Sequence, residues 1–289
     1  MQNILQVLVA GLAIGFIYSL VATEYTLIYN ATGLVNFAHE AFIVLGAYLF
    51  GGTFVMLLPE RSLVSILCTL AAMALFGVLV SKTIFNPLRN MTFATYAMFG
   101  TMMLSRILTE IIRLAWGPIP FAVKGFLRGS VHIGSVVIAR ANVYIIIVAV
   151  AVVVALQLFF KMTKTGKAMR CVAQNKDAAA LMGINVSKNI NVTVALSSMI
   201  CAIVGILITP LFNVSLAMAT STALKGFCAG VVGGFGSYPG AIVGGILIGL
   251  LEQIGILFFP AVYKDVVAFA VMILFLLVRP GGIVQARKS

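Results

Sequence analysis

Long apolar runs follow one another along this chain, and few folds accommodate them. Runs at 4–22, 38–58, 63–84, 92–115, 143–160, 190–212, 241–259 and 262–278 each approach the roughly 20 residues that a bilayer-crossing helix needs. Of the 289 residues, 62% are hydrophobic and 9% charged, which is more apolar surface than a soluble interior absorbs. The pattern predicts an all-α, polytopic membrane helical bundle of roughly eight transmembrane helices, forming one transmembrane domain over 1–289. Met1-Gln2-Asn3 supplies no basic segment ahead of the first run, so that run reads as a retained span and not as a cleaved leader.

Charge orients such a bundle. The 19 Lys and Arg against 7 Asp and Glu give a formal net charge of +12, a balance that first suggests nucleic acid. Here the bases sit in loops between apolar runs, so the partner they imply is a lipid bilayer with its cytoplasmic side marked, and no nucleic acid. The densest loop, 161–188, carries Lys161, Lys164, Lys167, Arg170, Lys176 and Lys188 against the single acid Asp177. It reads as cytoplasmic, as do the turn with Lys82, Pro87 and Arg89 and the tail with Arg279, Arg287 and Lys288. Inside it Asn175 can cap a short helix, Asp177 sits in the first turn against the dipole, and Gly183 can end it in the left-handed conformation. The segment 116–141 holds Pro118, Pro120 and several glycines, with alternation at 131–133 and 136–138 that predicts a small hairpin. It reads as the extracytoplasmic loop, although it too carries bases, Lys124, Arg128 and Arg140.

Two stretches are too polar for lipid and too apolar for ordinary loops. The first is 24–36, with Asn30, Thr32, Gly33 and Asn36; the second is 220–245, with Lys225, Gly226, Gly230, Gly233, Gly234, Gly236, Pro239 and Gly240. Both predict broken or re-entrant segments lining a cavity. Paired interruptions toward opposite ends of a chain point to a transport pathway. Polar groups within or beside apolar runs are therefore pathway or gate candidates: Asn36, His39, Glu40, Lys225, Glu252 and Gln253. The alternative reading is structural pairing across helices, for instance Lys225 with Glu252, because an unpaired ion in a bilayer costs several kcal/mol. Arg106, Glu110 and Arg113 share one helical face in the fourth run and predict an ion-paired stripe, with Glu110 placed to serve both arginines.

Reactive constellations are missing from the sequence. Gly166-Lys167 is followed by Ala168 and lacks the upstream glycine of a phosphate-cradling loop, so ATP hydrolysis is not expected of this chain. His39-Glu40 is not followed by a second histidine at the zinc-protease spacing, and Cys68, Cys171, Cys201 and Cys228 form no metal-binding or disulfide pattern. No Gly-x-Ser-x-Gly elbow occurs either, so the expectation is no catalytic residue, no metal and no cofactor of its own.

Motifs along almost the whole chain resemble one family. Asp177-Ala178-Ala179 followed by Gly183 resembles the acid-Ala-Ala…Gly loop with which ABC-importer permeases contact their ATPases. Leu34-Val35-Asn36-Phe37-Ala38-His39, Leu45-Gly46-Ala47-Tyr48, Gly166-Lys167-Ala168-Met169-Arg170 and Leu181-Met182-Gly183-Ile184-Asn185 are similar to the branched-chain amino acid ABC-importer permeases, on their shorter-subunit side. So are 233–241 (GGFGSYPGA), Lys264-Asp265-Val266 and the ending Arg279-Pro280-Gly281-Gly282-Ile283. The family usually places Gly and then Glu after the motif histidine, whereas Glu40 follows His39 directly, which turns the carboxylate by about 100° around a helix axis.

The resemblance implies an inner-membrane permease that forms the translocation path by alternating access for branched-chain or related amino acids. Its partners would be a second related permease, two cytoplasmic ATPases that consume the ATP, and an extracytoplasmic binding protein. Lys167, Arg170, Asp177, Ala178, Ala179, Leu181, Met182 and Gly183 would couple it to the ATPases. Asn36, His39, Glu40, Lys225, Gly226, Gly233, Gly234 and Glu252 would line the path or gate. The competing expectation is an ion-coupled secondary transporter, with Glu252 and His39 as its proton or sodium groups.

Overall fold

The computed structural model describes residues 2–58, 61–88, 94–123, 126–127, 129–133, 136–258, 260, 263–279 and 281–284. Helices dominate: α1 (Gln2–Thr32), α2 (His39–Leu57), α3 (Ser62–Leu88), α4 (Ala94–Trp116), α5 (Arg140–Met162), α6 (Lys164–Gln174), α7 (Lys176–Leu181), α8 (Val186–Ile208), α9 (Thr220–Gly233), α10 (Tyr238–Gly255) and α11 (Lys264–Val278). Helix α2 widens into a π-helical turn at Leu49–Phe54, and α3 does so at Ser81–Phe85.

Among the described residues, six helices are long and apolar enough to cross a membrane: α1, α2, α3, α5, α8 and α10. Two further spans counted from the sequence fall short on different grounds. Helix α4 carries Arg106, Glu110 and Arg113, and α11 has 15 residues. In α4, Glu110 pairs with Arg113 on an exposed face, and no pair with Arg106 is present among the described residues, so the expected double pairing is half realised.

Sequence and structure differ at the first break. The segment expected to be irregular over 24–36 is helical as far as Thr32, so α1 runs for 31 residues and the interruption is confined to 33–38. Glu24, Thr26 and Thr32 are buried in the protein, which removes the conflict between polar groups and lipid that an irregular backbone would otherwise resolve. The second break is likewise narrower than 220–245. It spans only 234–237, between α9 and α10.

The chain divides into two compact units. One comprises residues 1–26, 124–153 and 220–288; the other comprises 27–123 and 154–219. In the first, α9, α10 and α11 pack on one another, and the N-terminal part of α1 lies against α10 through small residues: a Cβ on Gly15 would stand 2.9 Å from the Ile246 Cα. The hairpin is present there as β1 (Ser130–Ile133) paired antiparallel with β2 (Val136–Ala139), in the register Ser130 to Ala139. Lys124 and Arg128 of that loop, like Pro59, Glu60, Arg89, Arg287 and Lys288, lie outside the described residues.

In the second unit α8 is the central rod, with α2 and α3 packed along it. Gly46 of α2 makes this contact close, since a Cβ there would reach within 2.6 Å of the Ala202 backbone; Gly77 of α3 would meet the Ala195 Cα at 2.7 Å. A glycine at each crossing lets the helices approach closely and gain dispersion there. Substituting Gly46 with Val should cost about 1–3 kcal/mol by overpacking, read as a lower melting temperature of the detergent-purified protein, whereas Leu75→Ala on the exposed face of α3 should leave it unchanged.

Candidate functional site

Three constellations carry the candidate residues. The first is the break between α1 and α2. Thr32 Oγ1 donates to Ile28 O at 2.7 Å and accepts from Leu34 N at 3.1 Å, closing the end of α1. The Asn36 carboxamide oxygen accepts from Ala38 N at 3.0 Å, and Thr101 Oγ1 of α4 accepts from Phe37 N at 3.2 Å. Asn36 and His39 are fully buried, and the His39 Nδ1 lies 3.6 Å from the Cys201 thiol of α8; Glu40 is half-buried. Asn36 therefore holds backbone at this break, a bond that its side-chain oxygen makes whether or not the residue also meets solute.

The second constellation is ionic. Lys225 of α9 is buried, and its Nζ lies 2.8 Å from Glu252 Oε1 of α10 and 2.6 Å from Asp265 Oδ1 of α11. The other Glu252 oxygen accepts from Tyr18 of α1 at 2.8 Å, and the ammonium stands 5.9 Å from that ring's centroid. The pairing of Lys225 with Glu252 was legible in the sequence as the structural alternative. Asp265 and Tyr18 were not. Asp265 lies beyond a short loop and shows no apolar-embedded signal, and Tyr18 is one aromatic among many in a long apolar helix. One cation thus ties three helices, and a phenol closes the fourth side of the carboxylate.

The glycines named beside it hold packing positions. A Cβ on Gly226 would collide with Val21, and one on Gly233 with the Gly240 carbonyl, so α1, α9 and α10 approach as closely as backbones allow. At the second break the carbonyls that end α9 are met from elsewhere in the chain: Ile283 N donates to Val232 O at 2.9 Å and Val284 N to Gly233 O at 3.0 Å. Ile283 and Val284 thus close the C-terminal end of α9 within its unit. Ser237 then starts α10, its Oγ accepting from Gly240 N at 3.2 Å.

The third constellation is the polar segment between α5 and α8. It holds two helices where one was expected. Helix α6 follows a tight turn in which Thr163 Oγ1 accepts from Gly166 N at 2.9 Å, and Gly166, Met169 and Val172 are its buried face. That threefold spacing is the sequence signal that could have found it. Lys167 and Arg170 point away from that face and are exposed. Asn175 caps α7 as expected, its side-chain oxygen accepting from Asp177 N and Ala178 N at 3.0 Å each. Gly183 ends it at φ +81°, with Ile184 N donating to Ala179 O at 3.0 Å. Ala179 is buried, Asp177 and Ala178 are exposed, and Leu181 and Met182 are 89% and 83% exposed.

These are the parts of a polytopic helical membrane protein with a built, outward-facing polar knob. Comparison with known proteins defines the class further. Residues 7–276 match the sequence profile of the branched-chain amino acid transport system permease component, and the chain belongs to that family. It is 31% identical to the high-affinity branched-chain amino acid transport system permease protein BraD of Pseudomonas aeruginosa, over 96% of this chain and 95% of BraD. Against LivH of Escherichia coli K12, another protein of that description, identity is 30% over 96% of this chain and 94% of LivH. A probable permease of this kind from Methanocaldococcus jannaschii is 25% identical over 91% of this chain and 87% of its own length. Among solved structures, PsaBC from Streptococcus pneumoniae in complex with Fab superposes with a TM-score of 0.51 over 97% of this chain and 93% of that one, at 11% identity. That likeness concerns the fold alone. The chain is a multi-pass membrane permease of the ABC-importer kind, which decides against the ion-coupled alternative.

The ionic constellation predicts its own mutational signature. Lys225→Met leaves Glu252 and Asp265 without their shared cation and should destabilise by about 3–5 kcal/mol, whereas adding Glu252→Gln and Asp265→Asn should recover most of that loss. Thermal unfolding of the purified variants measures both.

Proposed function

We propose that this chain is one membrane permease of an ATP-driven importer for branched-chain or related amino acids, and that it works by alternating access without chemistry of its own. BraD and the LivH proteins, named for branched-chain amino acid transport, supply the ligand class. In this reading the chain pairs with a second related permease in the bacterial inner membrane. Two cytoplasmic ATPases consume the ATP, an extracytoplasmic binding protein delivers the solute, and the chain itself needs no cofactor. The segment 161–188 faces the cytoplasm and 116–141 the outside.

The observation that carries the reading is the α7 knob. A six-residue helix is too short to persist alone in water, yet this one is capped at both ends by Asn175 and Gly183 and seated through Ala179. Its tip then presents Leu181 and Met182, two large apolar side chains, outward from the most polar segment of the chain. Exposed apolar side chains in a segment whose charged residues Lys167, Arg170 and Asp177 are also exposed suit a protein-docking surface with an apolar centre and a polar rim. An ATPase that closes on nucleotide would displace α7 as a body, and the breaks at 33–38 and 234–237 are where helices can hinge to gate the path. Asn36, His39 and Glu40 at the first break and the buried Lys225 and Glu252 on the helices flanking the second, with Gly226, Gly233 and Gly234, are the candidates for lining or gating it.

Replacing Leu181 and Met182 together by Asp should reduce copurification of the ATPases by roughly tenfold or more, the loss expected for two anchor residues at an interface. Membrane insertion and melting temperature should stay at wild-type values, because neither side chain is packed. Undiminished ATPase recovery with this variant would remove the docking role.

A further inference from the structure

The break between α1 and α2 is held by neighbouring residues and by two from farther along the chain, Thr101 of α4 and Lys176. Lys176, the first residue of α7, donates from its Nζ to Thr32 O at 2.6 Å, across 144 positions of sequence. Thr32 is the last residue of α1, so the acceptor is one of the terminal carbonyls that have no partner within the helix and that carry the negative end of its dipole. An ammonium is the group best suited to that place. The next residue, Gly33, turns the chain at φ +77°, and a Cβ added there would lie 3.3 Å from the same Nζ. The ammonium therefore sits at the turn itself, in the position where a side chain on residue 33 would crowd it.

Lys176 is a half-buried residue at the base of α7, while Leu181 and Met182 occupy its exposed tip. Between base and tip lies one capped helix whose ends are fixed by Asn175 and Gly183. A displacement of the tip must move the base, and the base is bonded to the hinge of the α1–α2 break, one turn of chain from Asn36 and His39. A longer route through α8 also exists, by way of the 3.6 Å approach of Cys201 to His39 just beyond the break.

We infer that Lys176 is a positioning residue that transmits movement of α7 directly to the α1–α2 break, through its charge-assisted bond to the Thr32 carbonyl. The inference rests on the proposed docking of ATPases at α7. It adds that the connection between the docking helix and the gate is a side-chain tie, separable from docking itself.

The test uses the assembled transporter in proteoliposomes, comparing wild type, Lys176→Met and Lys176→Arg. Lys176→Met should bind the ATPases and hydrolyse ATP as wild type does, while the solute moved per ATP falls roughly tenfold, the order expected for loss of one charge-assisted hydrogen bond. Lys176→Arg should restore most of the ratio, since a guanidinium also satisfies a carbonyl. A role confined to stability would lower assembly and ATPase together and leave the ratio intact, and that result would overturn the inference.

A second measurement needs no variant. In the wild-type assembly, deuterium exchange at 33–38 should change on adding a non-hydrolysable ATP analogue, in step with exchange at 176–183. A response at 176–183 with none at 33–38 would sink the tie while leaving ATPase docking standing. Failure of the wild-type chain to hold ATPases at α7 would sink both.

Discussion

The constraint on which this structure depends is that backbone polar groups inside a bilayer must find partners within the protein. A continuous helix meets it automatically, and most of this chain is continuous helix. The two interruptions are therefore the expensive places. At the first, four backbone groups are met by something specific: Leu34 N by Thr32, Ala38 N by Asn36, Phe37 N by Thr101, and the Thr32 carbonyl by Lys176. At the second, the carbonyls of Val232 and Gly233 are met by the amides of Ile283 and Val284. Supplying a hinge with partners from distant segments keeps it formed and leaves it sensitive to those segments.

Packing and charge follow from the same solvent. With lipid as apolar as leucine, burial between helices gives little, and close approach through glycine takes its place. Gly46 against Ala202 and Gly226 against Val21 are cases where no side chain would fit without moving a backbone or a valine. Charge has to be concentrated into closed groups for the same reason. Lys225 pairs with Glu252 and Asp265, and Tyr18 donates to Glu252, on four elements of one unit, so the group works as a clasp among helices. Desolvation makes such a clasp a weak source of net stability and a strong determinant of which helices meet.

What the sequence disclosed divides along physical lines. Apolar runs report helices directly, and the cap at Asn175, the turn at Gly183, the hairpin at 130–139 and the Lys225–Glu252 pair were legible because each is a local or strongly costed feature. Break boundaries were not. Glu24, Thr26 and Thr32 read as irregular because their burial partners are tertiary, and a polar residue in a helix looks the same in sequence whether it faces lipid or protein. Helix α6 was hidden by its charge, since its buried stripe of Gly166, Met169 and Val172 is narrow. Asp265, Tyr18 and Lys176 were hidden by distance, because a cation's choice of acceptor depends on which chain ends the fold brings together.

In the proposed reading, α7 shows how a short helix can become a mechanical part. Alone, six residues cannot repay the cost of nucleating a helix. Here the Asn175 side chain meets two amides at the start, and Met182, Gly183 and Ile184 donate back to Ala178, Ala180 and Ala179 at the end. Asn185 then caps α8 within two residues, accepting from Lys188 N at 2.9 Å, so almost no slack separates the knob from the rod behind it. With its ends closed and its connections short, pushing on Leu181 and Met182 would shift α7 as a body before it would unwind it. It leads two ways, from its base through Lys176 to the α1–α2 hinge and from its tip through Asn185 to α8, against which α2 is packed by Gly46 and Gly205. Both routes end on the two sides of the same break: the first holds the end of α1, and the second holds the body of α2. In the proposed reading, motion that alters the distance between them would open or close 33–38, as a gate driven from one face of a membrane requires.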